Sequence, residues 1–144
     1  MHLTQYTDFA LRTLMYLGSV NRSATIAEVA GRVMVSRNHL VKVVHNLGKL
    51  GFVITERGKS GGIRLACLPE LINVADVVRK MEPNFYIVEC LNRQKNRCPL
   101  TPACEYKRIV ALAQESFLDV LGRHTVADLV RNRHEIATLL NVAT

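Results

Sequence analysis

Leu3, Tyr6, Ala10, Leu14 and Leu17 recur at steps of three and four residues, the spacing that lines up side chains on one face of an α-helix. The pattern predicts a first helix over about 4–19, with Gly18 near its end. Thr25 followed by Glu28 reads as a capping box that opens a short helix through Ile26, Val29 and Ala30 and stops near Arg32. After a turn containing Met34, Ser36 is a second N-cap, with Val35 and Leu40 spaced to close a hydrophobic staple across it. Leu40, Val43, Val44, Leu47 and Leu50 form the buried stripe of a third helix, and Gly51 supplies its left-handed stop. Two helices about four residues apart, the second strongly capped, form a helix-turn-helix pattern.

On the third helix Arg37, Asn38, Val41, Lys42 and His45 avoid the apolar stripe and gather toward the N-terminal half, where such a helix meets base edges. Arg and Asn make two-pronged contacts to guanine and adenine, while Lys42 and Lys49 suit phosphates. A merely solvated face has the same pattern. Phe52–Thr55 and Ile63–Ala66 are β-prone runs around the Gly-rich basic turn 56–62, a hairpin placed as the wing of a winged helix. Arg57 and Lys59 then face phosphates or the minor groove. Gly58-Lys59-Ser60 imitates the end of a phosphate-binding loop, but Val53 stands where that loop needs glycine and no helix follows.

Asn73 caps another short helix to Met81, and the period then lapses from Asn84 to Pro102. Tyr106, Ile109, Ala113, Phe117 and Val120 resume helical spacing in a long run ending at Gly122. Val110, Leu112, Leu118 and Leu121 make that helix apolar on several sides, more than the small second half can cover, so a dimer interface is expected on it. Thr125 to Asp128 caps a short segment through Val130, and Ile136–Leu140 suggests one more helix. The predicted fold is mainly α: a winged helix-turn-helix with a small β wing over 1–68, then a cysteine loop and a long dimerisation helix over 69–144.

With 144 residues, 49% of them hydrophobic and 22% charged, the chain has material for one globular core and no bias toward disorder. Its net charge of +7 is uneven, because residues 1–68 hold nine Lys or Arg against three acids and so carry six of the seven charges. That favours a nucleic-acid partner for the first half. No run of about 18 apolar residues suggests a membrane span. The first ten residues lack the basic start and apolar stretch of an export signal. A cytoplasmic location follows as an expectation, and there the four cysteines are thiols or metal ligands rather than disulfides. None of the five histidines falls in a nucleophile-base or metalloprotease motif, so no catalytic residue is expected.

Cys90, Cys98 and Cys104 follow the pattern Cys-x7-Cys-x5-Cys, stiffened by Pro99 and Pro102. Structural zinc favours closer pairs and four ligands, so the set fits zinc poorly and a thiolate-bound iron-sulfur cluster better. Three unrelated reduced cysteines remain the alternative. Cys67, among Leu65, Ala66 and Leu68, is expected to be a buried structural thiol. Three cysteines leave one iron short of a ligand, and Lys107 is a cation unsuited to the role. Asp8 on the first helix offers a carboxylate that could reach a cluster in the other subunit. Its alternative is a local ion pair with Arg12, four residues on.

Four stretches, 3–12, 35–42, 57–65 and 98–104, resemble the iron-sulfur winged-helix transcriptional regulators over nearly the whole chain. Ser36-Arg37-Asn38-His39 is most similar to the nitric-oxide-sensing branch of that family. The resemblance implies that Ser36, Arg37, Asn38 and His39 belong to the DNA-reading surface. It also implies that Cys90, Cys98 and Cys104 hold one cluster per subunit, with Asp8 of the partner subunit completing it. The first cysteine interval is longer than in the relatives it resembles, which leaves 2Fe-2S as an alternative to 4Fe-4S. The implied function is a homodimeric repressor on an inverted-repeat, double-stranded DNA operator, released by nitric oxide and independent of membranes. An iron or redox sensor on the same scaffold, and a cluster carrier, are the competing readings.

Overall fold

The computed structural model describes residues 2–56, 58 and 61–141. The order is α1 (Gln5–Val20), α2 (Ile26–Arg32), α3 (Arg37–Lys49), β1 (Val53–Glu56), β2 (Gly62–Leu65), α4 (Val74–Met81), α5 (Glu105–Gly122), α6 (Val126–Leu129) and α7 (Arg133–Leu139). Single 3-10 turns lie at Pro69–Leu71, Glu89–Leu91 and Thr101–Ala103. The chain is thus mainly helical, with a two-stranded antiparallel hairpin pairing Val53 with Leu65 and Glu56 with Gly62.

Side-chain caps set most helix starts. Thr4, Thr25, Ser36 and Asn73 accept N–H bonds from Thr7, Glu28, His39 and Ala75 respectively, so each helix begins one residue after a polar cap. The reciprocal half of the box at Thr25 does not form: the Glu28 carboxylate instead accepts the Tyr16 hydroxyl and the Arg22 guanidinium, both at 2.6 Å. At Thr125 both halves are present, with Asp128 returning the bond. Gly51 ends α3 with a φ of +78°.

Helix α1 is the centre of the packing, touching α3, α4, α6, α7 and β2. Its Ala10, Leu14 and Leu17 share one buried cluster with Val29, Leu40, Val43, Leu47, Val53 and Ile63, and also with Ile72, Val77, Met81 and Val126. The helix-turn-helix and the segments beyond it are therefore joined through one core. The hairpin is anchored by a third segment: Ala24 exchanges both backbone hydrogen bonds with Ile63, at 3.0 and 2.8 Å. At the same place the Ser23 hydroxyl and the Arg64 guanidinium both donate to the Glu56 carboxylate.

Helix α5 is sparsely covered. Val110 and Leu118 are buried, whereas Tyr106, Ile109, Leu112 and Val120 are 62%, 56%, 50% and 54% exposed. No helix is long and apolar enough to cross a membrane among the described residues.

Candidate nucleic-acid interface and cysteine loop

The burial pattern of α3 follows from its period. Leu40, Val43, Val44 and Leu47 point into the core, which leaves Arg37, Asn38, Val41, Lys42, His45, Gly48 and Lys49 as one continuous exposed arc. Ser36, also exposed, caps the arc by accepting the His39 N–H at 3.4 Å. His39 lies past the edge of the arc, and its ring stacks on Phe9 of α1 with centroids 6.3 Å apart. Its flank position makes it a contact between helices as well as a surface residue. Val41, 45% exposed, puts an apolar patch within the polar arc, as a thymine methyl would require.

Ion pairing concentrates the charge on this surface. The acids of the first half each hold an arginine away from α3: Asp8 binds Arg12 at 2.7 Å, Glu28 binds Arg22 at 2.6 Å and Glu56 binds Arg64 at 2.6 Å. Arg37, Lys42 and Lys49 have no carboxylate partner among the described residues. Arg57 and Lys59, expected at the tip of the wing, lie outside the described residues. The hairpin that carries them is described on both sides. Gly58 has a φ of +111°, open only to glycine without strain, and its carbonyl accepts the Gly61 N–H at 2.9 Å.

Two contacts from α1 to α3 were not foreseen. The Tyr6 hydroxyl donates to the Lys42 carbonyl at 3.0 Å, and Phe9 meets His39 as above. Tyr6 reads in the sequence as one more apolar position of a helical stripe. Its hydroxyl was the available signal, because a half-buried phenol seeks a partner.

The cysteine loop runs from the end of α4 to the start of α5. Cys90 is buried in the turn Glu89–Leu91, Cys98 is half-buried, and Cys104 is the N-cap of α5, its Sγ accepting the Lys107 N–H at 3.4 Å. Around Cys98 the Asn96 carboxamide accepts the Cys98 N–H at 3.0 Å, and the Thr101 hydroxyl donates to the Cys98 carbonyl at 2.8 Å. Among the described residues no three His, Cys, Asp or Glu side chains stand where together they could hold a metal ion. The single chain therefore spaces Cys90, Cys98 and Cys104 along one loop without drawing them together, and Asp8 is engaged with Arg12. The donor chemistry still fits an iron-sulfur cluster: all three thiols are free, and Cys104 is the N-cap of an 18-residue helix. Lys107 contributes its backbone N–H to this cap. The expectation for Cys67 is corrected. It is exposed, because β2 ends at Leu65 and residues 66–67 bend away toward Pro69, taking the thiol out of the strand alternation that would have buried it.

Comparison with known proteins agrees with this architecture. The regulator NsrR of Bacillus licheniformis is 45% identical over 143 residues, which cover 98% of this chain and all of that protein. NsrR of Bacillus subtilis is 44% identical, with 99% of each chain covered. Among solved structures, T. potens IscR superposes with a TM-score of 0.74 at 21% identity, covering 92% of this chain and 88% of that one. CymR of B. subtilis, the global cysteine regulator, gives a TM-score of 0.72 at 22% identity over 92% of this chain and 98% of that one. At such identities these two structures speak to the winged-helix fold alone. The family model for Rrf2, described as iron-dependent transcriptional regulator, matches residues 3–132, and the chain belongs to the Rrf2 family.

Proposed function

We propose that this Rrf2-family protein is a cytoplasmic, homodimeric transcriptional repressor that binds an inverted-repeat operator and releases it in response to nitric oxide. The observation that carries the DNA-binding part is the exposed arc of α3, whose Arg37, Lys42 and Lys49 have no carboxylate partner among the described residues while neighbouring arginines are neutralised. Ser36, Arg37, Asn38, His39, Val41, Lys42 and His45 would face the major groove, with Arg57 and Lys59 of the wing on the backbone beside it. Residues 1–68 serve as the reading half and 69–144 as the sensing and pairing half. The exposed apolar face of α5 is the pairing surface, and twofold symmetry then sets half-sites about one helical turn, or a multiple, apart.

Cys90, Cys98 and Cys104 would hold the cluster, 4Fe-4S in preference to 2Fe-2S and one per subunit. Asp8 of the partner subunit would supply the remaining donor. The bound cluster supplies iron that reacts with nitric oxide. Asp8 has to leave Arg12 to serve, and an exposed pair of this spacing is worth only about 0.3–0.5 kcal/mol, so the exchange is cheap. The nitric oxide assignment is supported by full-length likeness to regulators named NsrR. An iron-responsive reading on the same surface is favoured by the family's description as iron-dependent.

The test starts from protein purified without air and a duplex that it selects from a random-sequence pool. Stoichiometric nitric oxide should release that duplex while iron chelation acts more slowly. Release by chelator with indifference to nitric oxide favours the iron sensor. Indifference to both defeats sensing, and failure to select any sequence defeats the repressor. Cys98→Ala should abolish bound iron and visible absorption; an iron content equal to the unaltered protein's would remove Cys98 from the ligand set.

A further inference from the structure

Where α4 ends and the cysteine loop begins, Glu82 turns back onto the first helix. Its Oε1 accepts both the backbone N–H of Thr4, at 2.7 Å, and the Thr4 hydroxyl, at 3.0 Å. Thr4 is the N-cap of α1, and its Oγ1 accepts the Thr7 N–H. One carboxylate oxygen thus fixes the capping residue twice and adds negative charge at the positive end of a 16-residue helix. Glu82 is itself the C-cap of α4, its N–H bonded to the Val78 carbonyl at 2.9 Å, so it is held by a helix whose Val77 and Val78 are wholly buried.

Two residues on from Thr4, about 3 Å along the helix axis, Tyr6 grips the middle of α3 through the Lys42 carbonyl, and one turn later Phe9 stacks on His39. The path from the loop entrance to the DNA-facing helix has two polar joints, Glu82–Thr4 and Tyr6–Lys42, joined by half a turn of helix. A rigid helix pinned at its N-cap transmits that position to whatever it grips next. We infer that Glu82 is a positioning residue for the recognition helix: by clamping Thr4 it sets α1, and through Tyr6 and Phe9 it sets the angle at which α3 meets base edges. The inference rests on the reading of α3 as the DNA-facing helix and concerns a residue outside both the α3 arc and the cysteine set.

The experiment compares full-length, air-protected unaltered protein with Glu82→Ala, Glu82→Gln, Tyr6→Phe and the double variant Glu82→Ala/Tyr6→Phe. The probes are the duplex selected by the unaltered protein and a scrambled duplex of the same length, below the melting transition of every variant. Glu82→Ala should weaken the selected duplex about tenfold and change the scrambled one less than about twofold, since base readout needs the helix angle and phosphate attraction does not. Glu82→Gln, which keeps the acceptor and loses the charge, should restore selective binding. Joints in series predict that the double variant loses less than the product of the single losses. Equal loss on both duplexes, no loss on either, failure of Gln to restore, or independent multiplication of the two effects overturns the inference. If the unaltered protein selects no duplex, the DNA-facing reading falls and takes this inference with it; if it does and Glu82→Ala binds alike, only the positioning role is lost.

Discussion

At Gly62 a methyl group has nowhere to go. A Cβ there would stand 2.6 Å from the Ala24 carbonyl oxygen and 2.9 Å from its carbon, both of them backbone and both held by the bridge to Ile63. Gly62→Ala should cost about 1–3 kcal/mol, read as a lower urea midpoint at unchanged slope. Gly31, in the last turn of α2 with nothing within 4 Å of an added Cβ, should behave oppositely, gaining about 0.5–1 kcal/mol on change to alanine. Identical midpoint shifts in the two variants would sink the steric account. Titration gives a second test at this scale. The Arg22 guanidinium, and then the Tyr16 hydroxyl, hold the Glu28 carboxyl below its usual range, while burial and the Glu28 carboxylate push Tyr16 up to about 12. A lowered acid stabilises the fold above its ordinary value of 4.5, and that share is lost as pH falls through the folded value. A raised phenol acts at the other end: its share is whole below pH 10 and lost between 10 and about 12. Tyr16→Phe should therefore flatten the alkaline limb of the stability profile, and Glu28→Gln the acid limb, in denaturation midpoints measured across pH.

Among the elements, those legible in the sequence are the ones made by local chemistry. Ser36, Asn73 and Thr125 each satisfy an amide two or three residues ahead, so the caps locate the starts of α3, α4 and α6, while the apolar period places α1. Glu28 shows where local reasoning stops. Its carboxylate had a partner in its own turn, yet it went to Tyr16, brought near only when α1 and α2 pack. The turn that exposes Cys67 and the three 3-10 turns have no period to announce them, and the spacing of the loop thiols likewise fixes an order without fixing a distance. The exposed arc of α3 was readable because burial of Leu40, Val43, Val44 and Leu47 dictates the opposite face. The same logic makes a prediction for α5. Ile109→Glu with Val120→Glu places charge on the open face and should yield a folded monomer by sedimentation equilibrium at micromolar concentration. Leu118→Glu puts an unpaired carboxylate into the core and should unfold the chain instead. A double variant that stays dimeric would move the pairing surface off this helix.

For the molecule as a whole, the arrangement of charge decides more than its sum. Three of the six arginines in residues 1–68 are bound to carboxylates at 2.6–2.7 Å, so they should contribute little to an anionic partner. The cations left on α3 sit on a helix held against α1, pointing away from the core, which favours contact with phosphates spaced along a groove. If DNA binding is driven from this surface, the logarithm of affinity falls linearly with the logarithm of salt by about 0.9 for each phosphate neutralised. A symmetric dimer loses two contacts per substitution. Lys42→Ala or Lys49→Ala should then reduce the slope by roughly 1.8, on selected and scrambled duplexes alike. Arg22→Ala and Arg64→Ala, which remove cations already paired within the protein, should leave it near its original value. Affinities measured from 50 to 200 mM potassium salt separate these groups. Equal slope changes from all four substitutions would mean that the duplex feels only net charge, and the oriented surface on α3 would lose its claim to be the reading face.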